Sequence, residues 1–127
     1  MPPRTDPDPS APESPGPEQL VADVLLAVSL VPFGRVVSYG DIAELVGSHP
    51  RRVGRIMARR SHDVAWWRVT DVRGRLGPLE RALPHWAREG IGVDPARSHC
   101  LFRVHHADLP AWADAFEQAQ AERTRSA

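Results

Sequence analysis

"VPFGRVVSYGDIAELVGSHPRRVGRIMARR", residues 31–60, contains two helix signals joined by a glycine turn. Ser38 can cap the first helix, with Asp41 three residues on to complete the cap. Ile42, Leu45 and Val46 then form an apolar face, and Gly47 stops the helix. Pro50 stands at the first position of the second helix. Val53, Ile56 and Met57 share one stripe of it, which leaves Arg51, Arg52, Arg55 and Arg59 on the other faces. Two short helices around a tight turn, the second one basic, form a helix-turn-helix pattern.

The flanks extend that reading. In "PEQLVADVLLAVSLVPFG", Leu20, Val21, Val24, Leu25 and Val28 recur at helical spacing between Pro17 and Pro32, which predicts a helix of about three turns. Val36–Val37 is a short β-prone piece. Downstream, "WWRVTDVRGRL" (66–76) alternates like an edge strand and turns at Arg73–Gly74, which predicts a hairpin or wing beside the basic helix. "LERALPHWAREG" (79–90) predicts a helix in spite of the internal Pro84. "LFRVHHADLPAWADAFEQAQAER" predicts a strand-like stretch and then a helix carrying Trp112 and Phe116. No internal repeat is visible. The expected fold is mainly α, a winged helix-turn-helix DNA-binding domain with a small β-hairpin wing. Three segments are expected: a disordered proline-rich tail over 1–17, a DNA-binding domain over 18–92, and a C-terminal extension of strand plus helix over 93–127.

Composition narrows the class. The first 17 residues hold seven of the 13 prolines and only isolated apolar residues, too little to offset ordering entropy. No continuous apolar run reads as a signal peptide or a bilayer span, so a cytoplasmic protein with no membrane partner is expected; a monomer is expected as well. Cys100 is the one cysteine, which leaves no internal disulfide and no cysteine-based zinc cluster. Net charge is zero, yet residues 48–75 carry eight arginines against Asp63 and Asp71. A basic patch on an otherwise neutral or acidic chain points to an anionic partner at one place, or to a solvated helix face. All 16 basic residues are arginine, which suits phosphate and base contacts but also follows from codon bias.

The series "VPFGRVVSYGDIAELVG", "RRVGRIM" and "AWWRV" resembles the DNA-binding domain of the O6-alkylguanine-DNA alkyltransferase family over roughly residues 18–92. In that family a nucleophilic cysteine sits in Pro-Cys-His-Arg-Val; its place here falls on Trp66. Tryptophan at that position marks the alkyltransferase-like branch, which binds alkylated DNA and transfers nothing. Two departures stand out. The branch's Pro-Trp-His-Arg becomes Ala65-Trp66-Trp67-Arg68, and the stretches from Tyr39 to Arg51 and from Arg51 to Trp66 are each about two residues shorter than usual.

The resemblance then implies roles. Arg51, or Arg52 one residue on, enters the base stack in place of a flipped nucleotide, which the guanidinium plane suits, or else makes an ordinary phosphate contact. Tyr39 presses on the backbone of the rotating nucleotide, although the chain's one tyrosine could also be a half-buried core residue. Arg52, Arg55 and Arg59 hold phosphates, or form a solvated face. Trp66, Trp67 and Tyr39 make up the candidate lesion pocket. Trp66 is an apolar floor, and its walls are expected near Arg75 to Arg81. Trp67, in place of a relay histidine, is free to turn into the core beneath; the alternative is that both indoles are core residues. Arg68 is expected to brace the loop rather than touch DNA. Cys100 lies too late and lacks the motif's neighbours, so it reads as a core or interface thiol. His99, His105 and His106 are too few for a metal site, and no cofactor is expected.

The function implied is a non-enzymatic sensor of O6-alkylguanine in duplex DNA. It would dock through the minor groove, flip the base and mark it for excision repair, with nucleotide excision repair proteins as partners. The alternative is a winged helix-turn-helix regulator that reads undamaged DNA, and an enzyme using Cys100 stands a distant third.

Overall fold

The computed structural model describes residues 16–126. The tail expected to be disordered lies almost wholly outside them. Helix α1 (Pro17–Ser29) starts with proline at its first turn and buries Leu20, Val24, Ala27 and Val28. Strand β1 (Val37–Ser38) leads directly into α2 (Tyr39–Val46). The turn between them is set by a complete capping box. The Asp41 N–H donates to Ser38 Oγ at 3.0 Å, and the Ser38 N–H donates to Asp41 Oδ2 at 2.8 Å. Gly47 ends α2 at φ 75°, in the left-handed region. Helix α3 (Pro50–Arg60) follows and packs on α2 and α1 through Val53, Ile56 and Met57.

Beyond α3 the structure departs from the strand pattern. Trp66–Arg68 form a single 3₁₀ turn, and only Val69–Thr70 (β2) are extended. Strand β2 pairs in parallel with β1, Val37 facing Val69 and Ser38 facing Thr70, so residues 66–76 are no hairpin. The Asp71 carboxylate folds the chain back by accepting from the Arg73 and Arg75 amides, each at 2.9 Å. Gly74 sits there at φ 85°, and a Cβ would lie 2.2 Å from the Cys100 carbonyl oxygen, so glycine is required. The local turn chemistry of Asp71 thus overrode the apolar alternation.

Helix α4 (Leu79–Glu89) tolerates Pro84 on its exposed side. The small hairpin lies later than expected, between β3 (Val93–Asp94) and β4 (His99–Cys100), paired antiparallel. The strand-like stretch after it is instead one helical turn, α5 (Phe102–His105), held to the body of the protein by a bridge from Val36 to His106. Helix α6 (Leu109–Ser126) returns Trp112 and Phe116 to the α1–α3 core, where Trp112 Nε1 donates to the Ala27 carbonyl at 2.8 Å.

Two apolar clusters result. One unites α1, α2 and α3 with Val69, Trp112 and Phe116. The other gathers Val36, Ala82, Trp86, Ile91 and Cys100. Trp66 touches both, so the segment that follows the basic helix stands at their seam.

Candidate nucleic-acid interface

Helix α3 buries one stripe and presents its arginines. Arg51, Arg55 and Arg59, four residues apart, are exposed on one side, and Arg52 is half-exposed beside them. Among the described residues none of these four is paired with a carboxylate; Arg60, the last of the helix, meets Glu18 at 3.5 Å at the surface. Guanidinium groups left unpaired in this way are available to an anion.

A cleft of about 380 Å³ opens at the C-terminal half of the same helix. Gly54, Met57 and Ala58 line one side, and residues 76–78 with Arg81 the other; Tyr39 and Trp66 also border it. Leu76, Gly77, Pro78 and Arg81 come from the stretch in which the pocket wall is expected. Tyr39 occupies the first turn of α2 and is half-buried. Burial, helped by the Asp71 carboxylate, pushes its phenol above the ordinary value, so it stays a neutral hydrogen-bond donor. The Arg81 guanidinium stands 5.8 Å from the centroid of the Trp66 ring, at cation–π distance.

The two tryptophans part company. Their rings meet edge to face, 5.7 Å between centroids at 85°, so one cannot lie where the other does. Trp66 borders the cleft, whereas Trp67, grouped with it as pocket residues from the sequence, does not. Trp67 stacks flat on His85 of α4 at 3.8 Å and donates from Nε1 to Glu89 Oε2 at 2.5 Å. An indole that must place its N–H inside the protein is held by that acceptor.

Glu89 is the residue that sequence reasoning missed. Its side chain is 2% exposed and accepts four hydrogen bonds. Arg68 binds it with Nε at 2.8 Å and a terminal nitrogen at 3.0 Å; the Gly34 amide adds one at 2.8 Å, and Trp67 the last. Burial pushes its carboxyl up, but the Arg68, Gly34 and Trp67 donors outweigh it and hold Glu89 below the usual glutamate value. Arg68 also donates to the Val31 carbonyl at 3.0 Å, so it ties the 66–68 turn to the end of α1 and to α4. Glutamate in a last helical turn before glycine reads as an ordinary solvated residue, and nothing near it in sequence marks it otherwise.

Cys100 lies in the second core with no exposed surface, and burial pushes its thiol up to about 11 despite the Thr70 hydroxyl. It is a core thiol, buried and protonated. The three histidines face different partners. His105 Nε2 accepts from the Gly92 amide at 2.9 Å, His106 Nε2 meets Asp41 Oδ2 at 2.8 Å, and His99 contacts its neighbour's carbonyl. Among the described residues no helix is long and apolar enough to cross a membrane.

A basic helix on a helix-turn-helix frame, with a cleft at its end, defines a DNA-binding domain. Residues 19–90 match the family model described as 6-O-methylguanine DNA methyltransferase, DNA binding domain, and the chain belongs to that family. It is 51% identical over 76 residues to the methylated-DNA–protein-cysteine methyltransferase of Methanopyrus kandleri, a match that covers 58% of this chain and 56% of that protein. The chain thus spans little more than half the length of that relative. It is 26% identical over 84 residues to the DNA base-flipping protein of Vibrio parahaemolyticus, covering 60% of this chain and 84% of that one. Among solved structures it resembles S. pombe Atl1 in complex with damaged DNA containing O6-carboxymethylguanine, with a TM-score of 0.58 and 26% identity over 75% of this chain and 94% of that one. A second structure, S. pombe ATL in complex with DNA, matches with a TM-score of 0.56 and 27% identity.

Proposed function

We propose that the protein is a non-enzymatic sensor of alkylated guanine in duplex DNA. It binds the duplex through Arg51, Arg52, Arg55 and Arg59, rotates the lesion into the cleft bordered by Tyr39 and Trp66, and marks it for excision repair. What supports this reading is Trp66, which the resemblance sets at the position of the family's nucleophile: it is an indole, and it borders a cleft of about 380 Å³ beside the basic helix. An indole does not take an alkyl group from oxygen at a useful rate, but it offers a broad apolar wall. The chain's one thiol is buried and stays protonated, which argues against the transfer chemistry that the Methanopyrus relative is named for.

Extrusion of a paired base costs a few kcal/mol, so the gap must be filled. Arg51, exposed in the first turn of α3, is the proposed plug. The relatives, a DNA base-flipping protein and Atl1 in complex with damaged DNA, support this reading. Trp67 and Arg68 serve the site from behind, by fixing the turn that presents Trp66.

The test is a competition between plain duplex and the same duplex carrying O6-methylguanine. Preference for the lesion regardless of flanking sequence, with protein mass and lesion unchanged after incubation, is the expected result. Arg51→Ala should lower the lesion-to-plain ratio, whereas Arg55→Ala should weaken both duplexes and preserve it. A protein heavier by one methyl group, or equal affinity for the two duplexes, would overturn the proposal.

A further inference from the structure

The charge of this molecule is divided. Opposite in sign to α3, helix α2 and residues 104–121 carry Asp41, Glu44, Asp108, Asp114 and Glu117 without a single arginine or lysine. Where these segments meet, a groove of about 440 Å³ runs between α2 and α6. Leu45, Leu109, Pro110 and Trp112 contribute its apolar lining, and Glu44 and Glu117 are exposed at its rim. The Asp41 carboxylate, also at the groove, is already engaged by the Ser38 amide and His106, whereas neither glutamate is ion-paired with another described residue.

We propose that this groove docks a positively charged amphipathic segment of a protein partner, with an apolar side chain on the α2–α6 lining and arginines or lysines against Glu44 and Glu117. Three observations select that occupant. Acidic rims repel phosphate, so nucleic acid is excluded from this face. An apolar floor inside a charged rim matches the anatomy of a protein interface and the groove mode of helix recognition. A second copy of this chain could offer the arginines of α3, but that helix has already buried its apolar stripe, Val53, Ile56 and Met57, and brings no anchor. Because the groove belongs to α2 and α6, and the arginines to α3, a partner could bind without displacing DNA.

The experiment uses the full chain, isotopically labelled, and a short amphipathic helical peptide with leucines on one face and arginines on the other. Amide shifts should concentrate in residues 41–45 and 109–117. The Glu44→Arg, Glu117→Arg protein should bind the peptide more weakly, on the order of tenfold, while it keeps its fold and binds plain duplex at least as tightly as the parent. Arg55→Glu should leave peptide binding unchanged. The proposal is overturned if shifts are absent or scattered, or if a peptide with glutamates in place of arginines binds equally well. It is overturned too if the double reversal has no effect, or if it abolishes a concentration-dependent self-association, which would make the groove an interface between copies.

Discussion

The arginines of α3 and Arg68 show the same side chain at two extremes. Arg51, Arg55 and Arg59 lie exposed with no carboxylate among the described residues, while Arg68, with its side chain 16% exposed, is bound by both oxygens of Glu89. A charge that the fold has paired and buried is committed to the structure. A row of charges that the fold leaves unpaired in one place is available to a partner. The contrast separates the residues that hold the site from those that face what it binds, and each half can be attacked on its own.

The buried half should respond most. Glu89→Ala strips Arg68 of its partner in a dry setting and frees the Gly34 and Trp67 donors, and should cost about 3–5 kcal/mol of stability, read by urea unfolding. A loss of under about 1 kcal/mol would erase the distinction between the two sets of arginines. The pH profile carries a sign. Glu89 is depressed below its unfolded value, so its contribution is complete above the ordinary glutamate range and is lost as pH falls through the lower folded value. Acid unfolding should therefore be shallower in Glu89→Gln, starting from a lower neutral stability.

The exposed half should respond in binding and not in folding. Arg55→Glu with Arg59→Glu should leave unfolding within about 0.5 kcal/mol of the parent. Affinity for plain and damaged duplex alike should drop, and the log–log salt slope should shrink by about 0.9 for each phosphate that is no longer neutralised. Unchanged affinity in that variant would place the DNA surface away from α3.

The sequence disclosed these two halves unequally. The helix-turn-helix was legible because its signals are local: Ser38 and Asp41 three residues apart, Gly47 at the stop, Pro50 at the start, and one apolar stripe per helix. The wing was misplaced because alternation in 66–76 is a weak signal beside a carboxylate that captures two amides, and because the partner of β2 is β1, more than thirty residues earlier. Of Tyr39, Trp66 and Trp67, grouped as one pocket on the resemblance, the first two border one cleft and Trp67 does not, and the role of Glu89 was hidden. Its donors come from Gly34 and from Trp67–Arg68, and no pattern along the chain shows a carboxylate which distant amides and guanidiniums will reach.

The narrowest test concerns the two neighbours at the seam, and it refines the comparison from arginines to indoles. Trp67→Phe keeps an aromatic ring for His85 but deletes the N–H that Glu89 accepts at 2.5 Å. Arg68 and the Gly34 amide still satisfy the carboxylate, so the loss should be that of one charge-assisted hydrogen bond, about 1.5–3 kcal/mol at most. The lesion-to-plain ratio should hardly move. Trp66→Phe should do the opposite. Trp66 is half-exposed at the cleft, and no hydrogen bond of its indole N–H is seen among the described residues, so a smaller ring there should cost less than about 1 kcal/mol in stability. It removes part of the apolar wall offered to an alkylated base, however, and the preference for O6-methylguanine over guanine should fall while plain-duplex affinity holds. Parallel melting curves and competition titrations on the two variants read both quantities. If Trp67→Phe lowered the lesion ratio and Trp66→Phe did not, the base would be held by the indole behind the cleft, and the division of labour between the two tryptophans would be reversed.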